Sequence, residues 1–349
     1  MLTDILRFLF QYVLRFGLMK FLVIAVAASN IFTFFLFFLD KRKAVAGKRR
    51  ISERVLVLFA VFCGVGAAAA MGIFRHKLRK PKFVVAAAAG IIFTLIPVAH
   101  IVHGFTLGRT VRFVEVPFYS ENWPAGLNGY RIAFMADIHM LRHEYMRKII
   151  DELKGRGIDL LLLGGDFSKR ESHYRGSLAE ISRLETTDGI FGVDGNHDDH
   201  LRLFAAMKGF GMTPLDNSGL HVREGFFLAG VSDKWNREPS IETAIKGARG
   251  DSFVLLVSHN PDIARSQSTA GIDLVLSGHT HGGQITFFGY PFYLLRRSIT
   301  HYGTRNAYGF TGTKDGAAMF VTSGVGVYYH IPRMFTRPEV VIFTMWNRG

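Results

Sequence analysis

The segment that decides the fold is LSGHTHGGQI, residues 276–285, in which an apolar run closes on two histidines one residue apart. His279 and His281 are the two imidazoles, and Gly282 and Gly283 follow them directly. Glycine has no side chain and lets the backbone pass close to a ligand. The segment is interpreted as a metal-ligand loop if other parts of the chain place similar side chains at the same point.

Four other apolar runs of the C-terminal two-thirds end in the same kind of residue. RIAFMADIH, IDLLLLGGD, IFGVDGNHD and FVLLVSHN end in Asp137 and His139, in Asp166, in Asn196, His197 and Asp198, and in His259. Polar, helix-like stretches such as 141–156 and 199–209 lie between apolar runs, an alternation typical of an α/β domain. Open α/β sheets bind ligands outside the carboxyl ends of their strands. We therefore expect five strands to bring these side chains to one site.

The residue types at these strand ends fit two metal ions a few ångströms apart. Imidazole and carboxylate without thiolate suit Mn, Fe, Zn or Co, and the only cysteine of the chain, Cys63, lies in an apolar run elsewhere. Asp166 stands alone at its strand end, so its carboxylate is the natural bridge between two cations. Two such ions can clamp a phosphoryl group and lower the pKa of a bridging water.

The five blocks DIH, GGD, GNHD, SHN and GHTH, in this order, resemble the calcineurin-like metallophosphoesterase family over roughly residues 128–345. The resemblance implies a two-sheet αββα sandwich with the metals at the strand ends. It implies that Asp137, His139 and His281 hold one metal, that Asn196, His259 and His279 hold the other, and that Asp166 bridges. It also implies that His197 faces the leaving oxygen as a general acid or charge stabiliser, with Asp198 orienting it.

The chain departs from the family pattern in one loop and is similar to one branch of it. The family often has an acidic or Asn residue a few positions after the G-D block, where this chain has Ser168 and Lys169. The longer GHTHGGQI and the apolar N-terminus resemble the transmembrane-type and lipid-linked phosphodiesterases. The segment from Asp40 to Phe83 separately resembles a small bacterial membrane domain of unknown function, and this resemblance implies bacterial origin and membrane insertion.

The N-terminal third differs sharply from the rest in charge and hydropathy. The chain has 42 Lys and Arg against 28 Asp and Glu, a net charge of +14, and residues 1–112 hold the whole excess. Three apolar runs of about 20 residues, long enough to span hydrocarbon, lie between basic clusters at Phe21–Leu39, Val55–Phe74 and Phe83–Val102. Basic residues flanking apolar runs are typical of membrane surfaces. We expect a helical transmembrane region at 1–112, a catalytic domain at 113–349, the lipid bilayer as a partner and no nucleic acid.

Two membrane topologies fit these runs, and both make the protein a multi-pass cell-membrane protein. Three full spans divide the basic residues almost evenly between the two faces, so the positive-inside rule does not choose an orientation. If the middle run, which is rich in small residues, is instead a re-entrant hairpin, both basic loops face the cytoplasm. The catalytic domain then lies outside, the arrangement that the charges favour. Residues 2–17 have the pattern of an amphipathic helix lying on the surface.

The leading functional hypothesis is hydrolysis of a phosphodiester or pyrophosphate by a metal-activated water. A lipid-linked substrate such as UDP-diacylglucosamine is suggested by family analogy and by FFGYPFYLLRR, Phe287–Arg297, whose aromatics and arginines could meet acyl chains and phosphate. The alternatives are a membrane-tethered binding or sensory module for a phosphate ligand, and a transporter-like N-terminal bundle with an attached enzyme. The sequence leaves the oligomeric state open.

Overall fold

The computed structural model describes residues 18–108, 110–139, 141–284, 286–287, 290–291, 308–327 and 333–349. The chain divides into two compact units, residues 1–103 and 104–349. The expected surface helix at 2–17 and most of Phe287–Arg297 lie outside the described residues.

The N-terminal unit is helical. Its helices are α1 (Leu18–Val45), α2 (Glu53–Phe62), α3 (Gly64–Ile73) and α4 (Pro81–Leu107), the last of which continues into the second unit. Within the described part of the chain, one helix, Val23–Val45, is long and apolar enough to cross a membrane.

The middle apolar run is not a single helix, which differs from the first of the two topologies weighed from the sequence, three full spans. It breaks at Cys63, whose backbone has φ −130° and ψ 53°, into α2 and α3 with 10 residues each. A helix of that length is about 15 Å long, roughly half of the hydrocarbon thickness of a bilayer. Neither helix can span a membrane alone.

Small residues in α3 allow the helices of this unit to pack closely. A Cβ atom added at Gly64 would lie 2.3 Å from the carbonyl oxygen of Ala87, and one added at Gly66 would lie 2.0 Å from that of Asn30. The side-chain oxygen of Asn30 also accepts a hydrogen bond from the Gly66 backbone N–H at 2.9 Å. These positions bring α3 against both α1 and α4 because they lack side chains.

Ion pairs join the two basic loops of the N-terminal unit. Asp40 is fully buried, and its carboxylate lies 2.8 Å from Arg50 Nη2 and 2.8 Å from His76 Nε2. Lys77 Nζ lies 3.3 Å from Asp40 and 3.2 Å from Glu53, the first residue of α2. The chain that enters α2 and the chain that leaves α3 therefore lie at the same end of this unit.

The C-terminal unit is built on two six-stranded sheets. The first has the order β1-β14-β2-β3-β4-β5 and the second the order β12-β13-β9-β8-β7-β6. The strands are β1 (Arg112–Ser120), β2 (Tyr130–Met135), β3 (Leu160–Gly164), β4 (Ile190–Val193), β5 (Thr213–Pro214), β6 (Ser218–Arg223), β7 (Phe226–Gly230), β8 (Phe253–Val257), β9 (Leu274–Ser277), β12 (Gly309–Gly312), β13 (Ala318–Val321) and β14 (Glu339–Asn347), with a separate pair β10 (Thr286–Phe287) and β11 (Tyr290–Pro291).

Helices cover the outer faces of both sheets, which gives four layers. They are α5 (His143–Lys154), α6 (Glu171–Ile181), α7 (His200–Gly209), α8 (Ile241–Ile245) and α9 (Ile263–Ser266). Alternation along β2 separates the layers: Ala133 and Met135 pack in the core beneath α5 to α7, whereas Ile132 and Phe134 pack in the core between the sheets. The expected two-sheet α/β fold is confirmed.

Parallel pairing sets the positions of the strand ends. β2, β3 and β4 run parallel in the first sheet, and β7, β8 and β9 run parallel in the second. The interiors of β3 and β8 are buried on both faces, as the unbroken apolar runs LLLLG and FVLLV indicate. The polar residues after these strands emerge where the parallel strands of each sheet end.

Candidate metal centre

The first group of ligand side chains combines Asp137 and His139, after β2, with His281, after β9. The Nε2 atoms of the two histidines are 2.9 Å apart, and His281 Nε2 lies 3.5 Å from Asp137 Oδ1. All three side chains are buried. Three ligand atoms thus converge from strands of different sheets, and they could hold a metal ion.

The second group combines Asp166, after β3, with His259 and His279, after β8 and β9. His259 Nε2 lies 3.3 Å from Asp166 Oδ2 and 3.2 Å from His279 Nδ1. Asn196, after β4, places its Oδ1 atom 3.1 Å from the same His259 nitrogen. All five strand ends named from the sequence therefore contribute to one site.

Asp166 lies between the two groups. Its Oδ2 atom is 3.3 Å from His259 Nε2 in the second group and 3.6 Å from His139 Nε2 in the first. Its Oδ1 atom accepts a hydrogen bond from the backbone N–H of His197 at 2.8 Å. One carboxylate oxygen thus faces ligands of both groups.

The donor set fits divalent cations. The Nε2 atoms of His139 and His281 face each other at 2.9 Å, and the lone pairs of neutral imidazoles are common ligands of such cations. His259 Nδ1 donates a hydrogen bond to the carbonyl oxygen of Gly164 at 2.8 Å, which leaves Nε2 as the ligand atom in the neutral ring. Such an outer hydrogen bond fixes the tautomer of many metal-binding histidines.

The backbone at the ligands adopts an uncommon conformation. Five of the seven expected ligands have left-handed φ values: Asp137 55°, His139 46°, Asp166 57°, His279 70° and His281 52°. Each such residue costs of order 1–3 kcal/mol when it is not glycine, and such residues cluster at functional sites. The sharp turns after the strands aim the side chains inward.

Burial and mutual charge shift the pKa values of these groups when no cation is present. Burial raises the pKa of Asp137 to about 7, and burial lowers that of His139 to about 4. Burial also acts on Asp166, but the charge of His259 and a hydrogen bond from it hold the pKa of that carboxyl well below its usual range. The charge of Asp166 in turn outweighs burial and raises the pKa of His259. Asp166 and His259 therefore form an ionised pair in the cation-free site.

His197 and Asp198 have different surroundings. The ring centroid of His197 lies 5.6 Å from that of His139, and the side chain is half-buried at the rim of the site. The buried Asp198 carboxylate accepts backbone N–H bonds from Gly195, Asp166, Phe167 and Ser168, at 2.7–3.0 Å. Asp198 thus ties the loop after β3 to the loop after β4.

Sequence reasoning did not single out the C-terminal loop that supports the first group. The backbone N–H groups of Val325 and Gly326 donate to the carbonyl oxygens of Ala136 and Asp137 at 2.9 and 2.8 Å. A Cβ atom added at Gly324 would lie 2.6 Å from that of Asp137. The small-residue run SGVG after β13 was the available signal.

Arg333 is a second residue that the sequence did not reveal. Its guanidinium is fully buried and donates to the carbonyl oxygens of Gly324 and Gly326, and Nη2 lies 3.5 Å from His281 Nδ1. It places a fixed positive charge next to His281, on the side of the ring that carries Nδ1.

Family models match two parts of the chain. Residues 130–283 match "Calcineurin-like phosphoesterase", and residues 30–83 match "Protein of unknown function (DUF1294)". Both agree with the resemblances that the sequence motifs carry.

Several curated proteins are similar to this chain. An "Uncharacterized metallophosphoesterase" of Helicobacter pylori is 31% identical over 242 residues, 66% of this chain and 62% of that protein. A "Transmembrane protein with metallophosphoesterase domain" of Danio rerio is 28% identical over 251 residues, 65% of this chain and 55% of that protein. The chain therefore spans less than two thirds of the length of these relatives.

Among solved structures, a dimetal phosphatase from Danio rerio matches with a TM-score of 0.36 and 12% identity, over 57% of this chain and 88% of that one. A match at that TM-score carries no weight for function.

Proposed function

Since the chain carries a calcineurin-like metallophosphoesterase domain, we propose that it hydrolyses a phosphodiester or pyrophosphate with two divalent metal ions. The observation that carries the proposal is the pair of buried His/Asp groups with Asp166 between them. Two ions held there would neutralise phosphoryl oxygens and lower the pKa of an attacking water. Every ligand position of the family pattern is filled, which disfavours a binding or sensory module that has lost its chemistry.

The ligand roles follow the two groups. Asp137, His139 and His281 hold one ion, and Asn196, His259 and His279 hold the other, with Asp166 shared. The distances between ligand atoms within each group, from 2.9 Å for His139–His281 to 4.0 Å for His139–Asp137, support this division. Mn, Fe, Zn and Co are the candidate metals because the donors are imidazole, carboxylate and amide oxygen.

His197 is the candidate proton donor or charge stabiliser for the leaving oxygen. Its half-buried ring stands beside His139 at the rim of the site, and its backbone N–H binds Asp166. Asp198 was expected from the sequence to orient the His197 ring. Its four backbone hydrogen bonds instead support a positioning role, in which it fixes the loops that present Asp166 and Asn196.

The N-terminal unit anchors the protein in the cell membrane, with the middle run as a re-entrant hairpin. The ion pairs of Asp40 and Glu53 with His76 and Lys77 support this topology, because they hold both basic loops at one end. Loops 40–54 and 75–82 carry Lys41, Arg42, Lys43, Lys48, Arg49, Arg50, Arg54, Arg75, Lys77, Arg79, Lys80 and Lys82. In the sequence, Arg7, Arg15 and Lys20 precede the first apolar run, and Arg109 and Arg112 follow the third. The positive-inside rule then puts the loops in the cytoplasm and the catalytic domain, taken as 113–349, outside.

A substrate at the bilayer surface fits a membrane-anchored hydrolase. A lipid-linked pyrophosphate such as UDP-diacylglucosamine is the candidate, by analogy with the lipid-linked branch of the family. The relatives named above come from a bacterium and a fish, so bacterial origin stays a prediction.

The test is a phosphoester panel on the full-length protein in detergent, after metal removal and reloading with Mn, Fe, Zn or Co. We expect hydrolysis of diesters or pyrophosphates that EDTA abolishes and one of these metals restores. A matched Asp166→Asn preparation controls for contaminating phosphatases. Wild-type rates no higher than those of this variant for every substrate would refute the proposal.

A further inference from the structure

A groove of about 650 Å³ opens beside the loops of the metal centre. None of the seven expected metal ligands is among its lining residues. Its lining residues are Lys169, Asp198, Asp199, His200, Leu201, Trp235, Asn236 and Arg237. Asp198 is shared with the loops of the metal centre, because its carboxylate binds the backbone N–H of Asp166 at 2.9 Å. The groove therefore borders the loops that carry Asp166 and Asn196.

Asn236 fixes one wall of the groove to the same loops. Its side-chain nitrogen donates to the carbonyl oxygen of Gly195 and to the Asp194 carboxylate, both at 2.8 Å. Gly195 directly precedes the ligand Asn196. This wall is consequently rigid with respect to the metal centre, as a substrate subsite requires.

Two large apolar side chains of the groove are open to solvent. Trp235 is 72% exposed and Leu201 is 77% exposed, whereas Trp123 is 1% exposed. The described residues provide no aromatic partner for Trp235, so the faces of its indole are available. An exposed indole beside a catalytic centre offers a stacking surface for a planar ligand.

Two cationic side chains also line the groove. Lys169 is exposed and has no ion-pair partner among the described residues, and it follows the bridging Asp166 by three positions. Arg237 lies 2.8 Å from Asp216 and keeps an exposed guanidinium. These charges complement a phosphate group that extends from the metal centre into the groove.

The composition of the walls favours a nucleoside over an acyl chain. Six of the eight lining residues are polar or charged, and covering charged groups with hydrocarbon costs free energy unless they find new partners. A base and a ribose present planar faces to the indole, and they also present hydrogen-bonding edges to the polar walls.

We propose that this groove binds the nucleoside of a substrate in which a nucleoside 5′-phosphate is joined through a phosphodiester or pyrophosphate. The proposal rests on the proposed phosphoesterase function and names its substrate class. Trp235 stacks on the base, and Lys169 binds the phosphate nearest to the ribose.

The test uses UMP and ribose 5-phosphate, which share sugar and phosphate and differ in the base. Inhibition constants are measured with the full-length, metal-loaded protein against hydrolysis of methyl 4-nitrophenyl phosphate. We expect UMP to bind at least about tenfold more tightly than ribose 5-phosphate, since stacking on an aromatic side chain is worth roughly that factor. Trp235→Ala should remove most of this ratio and Trp235→Phe should keep most of it, while Trp346→Ala, at an exposed tryptophan outside the groove, should not change it.

Three outcomes separate the possibilities. Equal affinities for UMP and ribose 5-phosphate in the wild type would overturn the groove assignment while leaving the phosphoesterase function intact. A Trp235→Ala variant that loses affinity for lysophosphatidic acid and not for UMP would identify an acyl chain as the occupant and overturn it too. If no phosphoester is hydrolysed, quenching of tryptophan fluorescence by UMP and not by ribose 5-phosphate still tests the groove, because that signal needs no turnover.

Discussion

The backbone N–H of His197 donates a hydrogen bond to Oδ1 of Asp166 at 2.8 Å. This bond holds one carboxylate oxygen, so that the other, Oδ2, faces His139 and His259 at 3.6 and 3.3 Å. The same residue pair therefore links the proposed bridge to the proposed proton donor. Changes at either residue should have effects that can be told apart by metal content.

Asp166→Asn should reduce the occupancy of both metals. An amide oxygen carries no net charge, and the bridging position serves both ligand groups. Metal analysis of the full-length protein should show well below one ion per chain, with Asp151→Asn, an exposed carboxylate on α5, as the control. Loss of one ion with full retention of the other would show that Asp166 serves only one group.

His197→Gln should lower kcat by about 10²–10⁴ while both metals stay bound, because general acid–base groups act mainly in the transition state. Esters of nitrophenol need little protonation of the leaving oxygen and should be affected less than alkyl diesters. Kinetics and metal content are measured on the same preparation. A variant that loses a metal would instead make His197 a ligand.

Asp198→Asn should destabilise the domain and weaken metal binding together. The amide replaces one of two oxygens that accept four backbone N–H bonds, which leaves buried donors facing an NH₂ group. Unsatisfied buried donors cost about 1–3 kcal/mol, so the unfolding midpoint should fall by roughly 5 °C. Thermal unfolding is compared with Asp199→Asn, the neighbouring helix cap. If instead only kcat falls, Asp198 acts on His197.

Metal uptake should release protons at neutral pH. The charge of Asp166 raises the pKa of His259 above its usual value despite burial, so this ring is protonated in the cation-free protein and must lose that proton to bind a cation. Because the folded pKa is raised, the His259–Asp166 pair stabilises the cation-free protein most fully at low pH within the range where Asp166 is ionised. That stabilisation is lost as the pH rises through the pKa of His259. Calorimetric titration in buffers of different ionisation enthalpy measures the release; heats that do not depend on the buffer would contradict it.

Both basic loops should be reached from the same side of the membrane. With Cys63→Ser as background, single cysteines at Ala46, Arg79 and Asp251, all exposed, report on the two loops and the catalytic domain. A membrane-impermeant maleimide applied to intact cells should label Asp251→Cys and leave Ala46→Cys and Arg79→Cys unlabelled until lysis. If only one of Ala46→Cys and Arg79→Cys is labelled in intact cells, the two loops lie on different sides, and the topology with three full spans is the correct one.

The sequence alone determined the catalytic half of the fold to a large extent. An apolar run that ends in Asp, Asn or His is a local pattern, and five of them in order predicted the strand ends at β2, β3, β4, β8 and β9. These features could be predicted because strand periodicity and ligand chemistry are written in neighbouring residues.

Only the tertiary structure decided the features that depend on residues far apart in the chain. The middle run breaks at Cys63, and Asp40 forms ion pairs with His76 and Lys77, 36 and 37 positions later. Together these features bring both ends of the middle run to the same place. The backbone partners of Asp198, the placement of Arg333 behind His281 and the groove around Trp235 are of the same kind. None has a periodic signal in the sequence, because each arises when loops from separate elements pack against one another.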